Sequence, residues 1–446
     1  MYDPDLHLFI NDDEISFRQD MYRMVQKPRR EAVGPLFTPS GQEEGTAIGY
    51  STVYRDPQTG QYRLWYSVHE DGLVRLAVSQ DGLTWQRRGL AMPREFHIRS
   101  DNQQVAPVGK RVAPFFQGAK LVGFCYFYGE LPSDRKEGLH LVRSMDGEHL
   151  EALDSPILPG VGDRSSLTYD AVNDEYILIS RSCGSIIGLK PEELGKPRTG
   201  HLWKSHNLVD WTNCNVGLCY DEHDPADVQI YGMQPFRCGP RWLALVEIYY
   251  AGMERLNTQL AWSTDGLRWR RVADRETFLD WGGEGAWDSH WVVSTHNEPI
   301  LDGDRYRIYY SGTSTKHGSG KRHRRGIGLA TIRKDGWVSL EAGRVEGKLI
   351  TTPLPLNKPM VLELNANCFS GYITCEIVRV LPDGKWEAVP GYDGEAGRIE
   401  QVDGTRIRVR WKDRDVVQPV EGSQCYIRFT SKQSSLFSYR WSPAGR

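Results

Sequence analysis

The chain is predicted to be all-β, a five-bladed β-propeller over residues 1–345 followed by a β-sandwich over residues 346–446. Three observations carry this expectation. A short strand-and-turn pattern recurs five times, an apolar hairpin precedes each copy, and the pattern changes after Gly343. The clearest copy is Gln259-Leu260-Ala261-Trp262-Ser263-Thr264-Asp265-Gly266-Leu267-Arg268-Trp269, an alternating strand, a Ser-x-Asp-Gly turn and a Trp. Aligned on Ser79, Ser144, Ser205, Ser263 and Arg333, the copies lie 65, 61, 58 and 70 residues apart. A repeat at such spacing marks a repetitive architecture.

Each element has a physical reason. Asp-Gly after an apolar strand favours a tight turn, because both residues tolerate positive φ and the Asp side chain bonds nearby backbone. The following Trp returns as an apolar anchor between layers. The third copy has Asn207 in place of the Asp, and the fifth, at 329–337, is the most divergent. The hairpins upstream, at 62–67, 120–126, 175–180, 241–246 and 305–310, give each unit three or four antiparallel strands. Radial packing of five such units leaves only short sheet edges exposed. Beyond the repeats, residues 360–364, 372–378, 406–411 and 424–429 alternate as sandwich strands, with Asp383-Gly384 and Asp403-Gly404 as turns.

Composition narrows the function. A length of 446 residues favours two domains. A net charge of -3 with 25% charged residues points to neither nucleic acid nor an anionic membrane as partner. The 14 Trp and 21 Tyr suit an all-β chain and also suit sugar binding, where aromatic faces stack on rings. Eight Cys without a Cys-x-x-Cys are expected to be reduced thiols. The first residues lack the basic and apolar regions of a secretory leader, so a cytoplasmic protein is expected. No apolar run reaches membrane-span length. The pattern calls for no cofactor and no metal, and leaves a homo-oligomer open.

Innermost propeller strands converge on the axis, so residues at their starts meet in one funnel. Acids recur there: Glu43 and Glu44 before the first, Asp101 at the second, Asp163 at the third, Asp227 at the fourth and Asp288 at the fifth. Leu8-Phe9-Ile10 with the acids after it reads either as a strand ending in a solvated turn or as a strand that lines the channel and presents Asp12 or Asp13 at its mouth. Glu247, inside an apolar strand, is either paired or functional, and is a candidate proton donor because an apolar site raises a Glu pKa. Asp56, in Tyr54-Arg55-Asp56-Pro57, aligns with Asp170 and Asp302 at hairpin turns and is expected to lie away from the funnel. The basic loop 317–326 reads as a solvated loop or as an anion site for phosphate or an acidic sugar.

With these features the chain resembles the five-bladed propeller glycoside hydrolases of the invertase–levanase type (family 32), whose propeller precedes a sandwich. It is also similar to the arabinanase–xylosidase propellers (family 43). Asn11-Asp12-Asp13 loosely resembles the start of the former, while the Asn-Asp-Pro-Asn-Gly and Glu-Cys motifs are lacking. The resemblance implies two-carboxylate hydrolysis of a mono- or oligosaccharide glycoside. The set it implies is Asp12, Asp227 and Asp288, with Glu247 as reserve acid. Glu44, Asp101, Asp163, Arg164, Tyr231, Trp287 and His290 would bind the sugar. Two alternatives stay open: a mannoside-type phosphorylase with phosphate on the basic loop, and a lectin-like propeller without turnover.

Overall fold

The repeat turn closes through its own side chains. In the first copy the Ser79 hydroxyl donates to Asp81 at 2.9 Å and accepts from the Gly82 N–H at 2.9 Å, while Asp81 accepts from the Leu83 and Thr84 N–H groups at 2.8 Å. Those N–H bonds hold the Asp81 carboxyl at about 2, below its ordinary value. The arrangement repeats at Ser144 with Asp146, Ser205 with Asn207 and Ser263 with Asp265. Gly82, Gly147 and Gly266 take positive φ, and in the Asn copy Leu208 does so at 70°. The fifth copy diverges for a reason: Asp335 is buried, accepting from Arg440 at 2.5 Å and from the Tyr306 hydroxyl at 3.2 Å. It ties the last blade to the second domain instead of closing a turn.

The computed structural model describes residues 2–40, 45–68, 71–93, 100–127, 137–153, 157–158, 161–183, 198–319, 325–381, 383–419 and 424–445. Among them the architecture is all-β, and no helix is long and apolar enough to cross a membrane. The first three units are four-stranded antiparallel sheets, with innermost strands Thr52–Arg55, Ser100–Pro107 and Ser165–Asp170. The fourth runs outward from Val228–Cys238 and the fifth from Trp291–Ser294; these two are joined by one parallel pairing, Leu256 with Trp291. Arg29–Arg30 pairs with Arg325–Arg333 and supplies the outermost strand of the fifth sheet. The N-terminal segment therefore closes the last blade.

Polar side chains on the inner strands close the ring. The Thr52 hydroxyl lies 2.8 Å from the Gln103 carbonyl and 3.0 Å from that of His296, bridging the first blade to the second and fifth. Gln104 accepts from the Leu167 N–H at 2.5 Å and donates to the Ser165 carbonyl. Thr168 donates to the Pro235 carbonyl at 2.7 Å, and Thr258 to that of Val292 at 3.1 Å. Each seam between neighbouring blades is thus satisfied by a side chain where no sheet ladder runs.

The sandwich differs from the expected 346–446 boundary. Its first sheet orders Met21–Val25, Val338–Ala342, Ser434–Pro443, Met360–Asn367 and Asp403–Arg408, with Leu6–Leu8 also on Ser434–Pro443. Its second orders Ile15–Gln19, Gly347–Thr351, Gln424–Lys432, Tyr372–Val380 and Trp386–Ala388. Three N-terminal strands thus belong to the sandwich rather than to the propeller. The cause is pairing of the two chain ends, which periodicity read along the chain does not report. Leu6, Leu8, Phe9 and Ile10 enter one core with Phe236, Phe278, Trp337 and the sandwich interior, fixing the sandwich to the fourth and fifth blades. Leu8-Phe9-Ile10 therefore does not line the axial channel, and the expected position of Asp12 at its mouth is corrected.

Candidate active site

Chain direction puts the starts of all inner strands at one end of the axis. Tyr50 precedes the first, Arg164 the third, Tyr231 lies early in the fourth, and Trp291 opens the fifth. The Tyr50 hydroxyl donates to the Tyr231 hydroxyl at 2.9 Å, and that oxygen is 3.1 Å from Nε2 of His317. His317 stacks on Trp291 with ring centroids 5.3 Å apart. Burial, then Tyr231 and Asp163, pushes the Tyr50 hydroxyl well above its ordinary pKa, so it serves as a neutral donor. Behind it His296 stacks on the Tyr50 ring at 5.2 Å; burial, then the Arg164 charge, holds its pKa well down and its imidazole neutral.

Cations surround these rings. The guanidinium carbons of Arg181 and Arg198 lie 4.7 and 5.4 Å from the Tyr231 ring centroid, and that of Arg325 lies 4.1 Å from Trp291. Arg164 sits 5.1 Å from Tyr50, in range for a cation–π contact. Below it, Arg164 grips both oxygens of Glu247, with Nε donating to Oε2 at 2.7 Å. Both side chains are fully buried, at 1% and 0% exposure. Gly232 makes the pair possible: a Cβ there would lie 2.5 Å from Oε2 of Glu247 and 2.8 Å from Nε of Arg164. Glu247 is thus a paired structural carboxylate, and its expected role as proton donor is corrected. Arg164 is too deep to hold a sugar hydroxyl from the open side.

Two other carboxyl groups lie near the mouth. Asp163 forms an ion pair with Arg181. Glu137, just before the third strand of the second blade, accepts from the Tyr126 hydroxyl at 3.3 Å. Burial, then Glu137 and Asp163, raises the Tyr126 pKa, so both acids act on one phenol. Asp101 is opposite Tyr126 in the ladder, but its side chain lies outside the described residues, as does Glu44 altogether.

The remaining expected residues are held by other partners. Asp12 is 58% exposed on the sandwich side, paired with Arg23 and Arg18. Asp227 stands just before its inner strand and caps the hairpin that borders His317, accepting from the Gly252 N–H at 2.9 Å. Asp288 is buried on the flank of the fifth blade, where Arg30 donates at 2.9 Å and the Tyr310 hydroxyl at 3.1 Å. Its placement in the funnel is corrected, because the loop before Trp291–Ser294 turns outward over Tyr310 instead of inward. Trp287 stacks on Tyr310 at 5.7 Å and lines a cavity of about 370 Å³ together with Arg325. His290 sits at the blade seam, its Nδ1 3.0 Å from the Ser289 hydroxyl. Asp56 makes a hairpin turn with the Gln58 and Thr59 N–H groups and pairs with Arg63 at 3.0 Å.

Sequence reasoning missed Tyr50, Tyr126, Glu137, Arg181, Arg198 and Trp291. Of the basic loop, His317 and Arg325 reach the mouth, while 320–324 lie outside the described residues.

The opposite end of the axis is a chamber of about 300 Å³, walled by Val53, Val105, Leu167, Tyr169 and Glu298 among others. Removal from water, together with the charge of Asp170, raises the Glu298 carboxyl to about 7. A raised native pKa means the folded state holds the proton more tightly than the unfolded one. That stabilisation is complete below the unfolded value and is lost as pH rises through about 7. Glu298→Gln is therefore expected to unfold at a higher temperature than the parent at pH 8 and at a similar one at pH 4.5. Thermal denaturation across this range checks it, and parallel curves for the two proteins would count against the assignment.

No protein-family model matches the chain, and no curated protein matches it. Among solved structures it is similar to a thermostable family-43 glycoside hydrolase, at 12% identity and a TM-score of 0.50, covering 70% of this chain and 95% of that one. It is also similar to a structure titled for the GH130 family of mannoside phosphorylases and the glycoside hydrolases within it, at 12% identity and a TM-score of 0.48, covering 69% and 94%. A third is a Bombyx mori GH32 beta-fructofuranosidase, at 12% identity and a TM-score of 0.45, covering 92% of this chain and 94% of that one. At such identity the likeness to the family-43 structure establishes the propeller fold and nothing more.

Proposed function

We propose that this chain is a glycoside hydrolase whose active site is the axial mouth. One observation carries the reading: Glu137 accepts from the Tyr126 hydroxyl, the charge of Asp163 reaches the same phenol, and Arg181, the ion-pair partner of Asp163, lies over the Tyr231 ring beside Tyr50 and Trp291. In the proposed chemistry Asp163, oriented by Arg181, attacks the anomeric carbon or activates a water molecule. Glu137, which accepts from the Tyr126 hydroxyl, protonates the leaving oxygen. Tyr50, Tyr231 and Trp291 are buried and back the site from below, and Arg181 and Arg198, which lie over the Tyr231 ring, donate to the sugar hydroxyls. Arg164 and Glu247 do no chemistry here; they fix the Tyr50 ring from below. The substrate is a mono- or oligosaccharide glycoside.

A second reading rests on the three guanidinium groups of Arg181, Arg198 and Arg325, together with His317. Such a surround suits an inorganic phosphate nucleophile in a phosphorylase. Turnover of aryl furanosides, aryl pyranosides and manno-oligosaccharides, measured with and without phosphate, separates the two. Phosphate-independent release of free sugar is expected. Activity only with phosphate favours the phosphorylase, and binding without turnover across the panel contradicts both enzyme readings.

A further inference from the structure

The sandwich carries a trough of about 600 Å³ on the outer face of the sheet that contains Ile15–Gln19, Gly347–Thr351, Gln424–Lys432 and Tyr372–Val380. Strand register builds its floor. Phe17 pairs with Ile350, Ile350 with Arg428, and Arg428 with Glu376, making one row across four strands. Lys348, Thr430 and Thr374 make the next row. Side chains alternate between faces, so Leu349, Phe429, Cys375 and Ile377 point the other way, into the core.

On an ordinary solvated face such side chains would move independently. Here they are tied down. Arg428 Nε donates to Glu376 at 2.6 Å, the Tyr372 hydroxyl donates to Glu346 at 2.8 Å, and the Arg398 guanidinium lies 3.8 Å from the Tyr372 ring centroid. The loop at Gly394 lies down on the sheet and forms one wall: a Cβ there would be 3.4 Å from the Thr374 hydroxyl. Phe17 stands at the opposite side, 45% exposed. Three strand spacings and four residues separate Phe17 from Tyr372, about 20 Å along the diagonal.

We propose that this trough binds an oligosaccharide chain at a site separate from the propeller mouth. Its chemistry selects that occupant. Planar aromatic groups stand at both ends, and between them lie threonine hydroxyls and an ion pair whose spare lone pairs and N–H groups suit neutral hydroxyls. Arg428 is neutralised by Glu376, and with Glu346, Asp393 and Glu395 the carboxylates outnumber the cations, which disfavours nucleic acid and other polyanions. A protein partner would want a charge-depleted apolar centre, and the rows offer only Phe17 and Ile350.

The test is native electrophoresis of the full chain through gels cast with levan, linear arabinan, β-mannan or xylan. Phe17→Ala and Tyr372→Ala are run alongside, with circular dichroism to verify folding; Phe17 is exposed, so that variant has little core to lose. At least one polysaccharide is expected to retard the parent, and each variant to weaken the apparent Kd at least tenfold. Turnover of small aryl glycosides should stay unchanged, since it reads the mouth alone. Retardation equal in parent and variants, or absent on all four gels, overturns the proposal. Retained retardation with no turnover counts against the mouth and leaves the trough standing.

Discussion

Asp163→Asn is expected to lower kcat on the order of 10³-fold with little change in unfolding temperature, the signature of a group acting in the transition state. Asp163 is a partly exposed member of an ion pair with Arg181, so neutralising it leaves the packing around it in place. Glu137→Gln should lose turnover least on substrates with a good leaving group, because a proton donor matters least there. Asp227→Asn is the contrast: its carboxylate caps the Gly252 N–H, and turnover should hold. Steady-state kinetics on matched aryl glycosides with good and poor leaving groups checks all three. Full activity in Asp163→Asn removes it from the chemistry.

Glu247→Gln should be the most destabilising single change near the mouth. Glu247 and Arg164 are both out of solvent and paired through two bonds, so removing one charge strands the other. Breaking a buried pair this way costs about 3–5 kcal/mol. A double replacement, Arg164→Met with Glu247→Leu, removes both charges and should recover most of that stability. It should not recover turnover, because the Tyr50 ring loses the cation beneath it. Chemical denaturation of the single and double variants, with kinetics on each, tests the pair. Equal stability of Glu247→Gln and parent would contradict the structural role given to it.

What the sequence revealed follows from which interactions are local. The Ser-x-Asp-Gly turns, with Asn207 in the third, bond within five residues, so four of the repeats and their strands were readable from local chemistry, and the fifth from spacing. The sandwich was readable as alternating strands, but its N-terminal half was not. Leu6–Leu8 pairs with residues 438–440, and no local pattern announces a partner at the far end of the chain. The site was readable only in part. The idea that acids at inner-strand starts converge brought in Asp163 and its neighbour Arg164, yet the same idea misplaced Asp288, which Arg30 and Tyr310 hold on the blade flank. Glu247 was singled out as paired or functional, and Gly232, which lets Arg164 reach it, lies in the adjacent strand. Glu137, Arg181 and Arg198 carry no motif, because their positions are set by hairpins that approach only in three dimensions.

The central claim is that sugar chemistry happens at the axial mouth between Asp163, Glu137 and the Tyr50–Tyr231–Trp291 wall. A crystal structure of Asp163→Asn soaked with a substrate that the parent turns over tests it most directly. The account predicts a sugar ring at the mouth beside Arg181 and Arg198, with its anomeric carbon within reach of position 163 and its glycosidic oxygen within hydrogen-bond distance of Glu137. A sugar bound with its anomeric carbon remote from both carboxyl positions, or seated beside Trp287 and Asp288 on the blade flank, would contradict it.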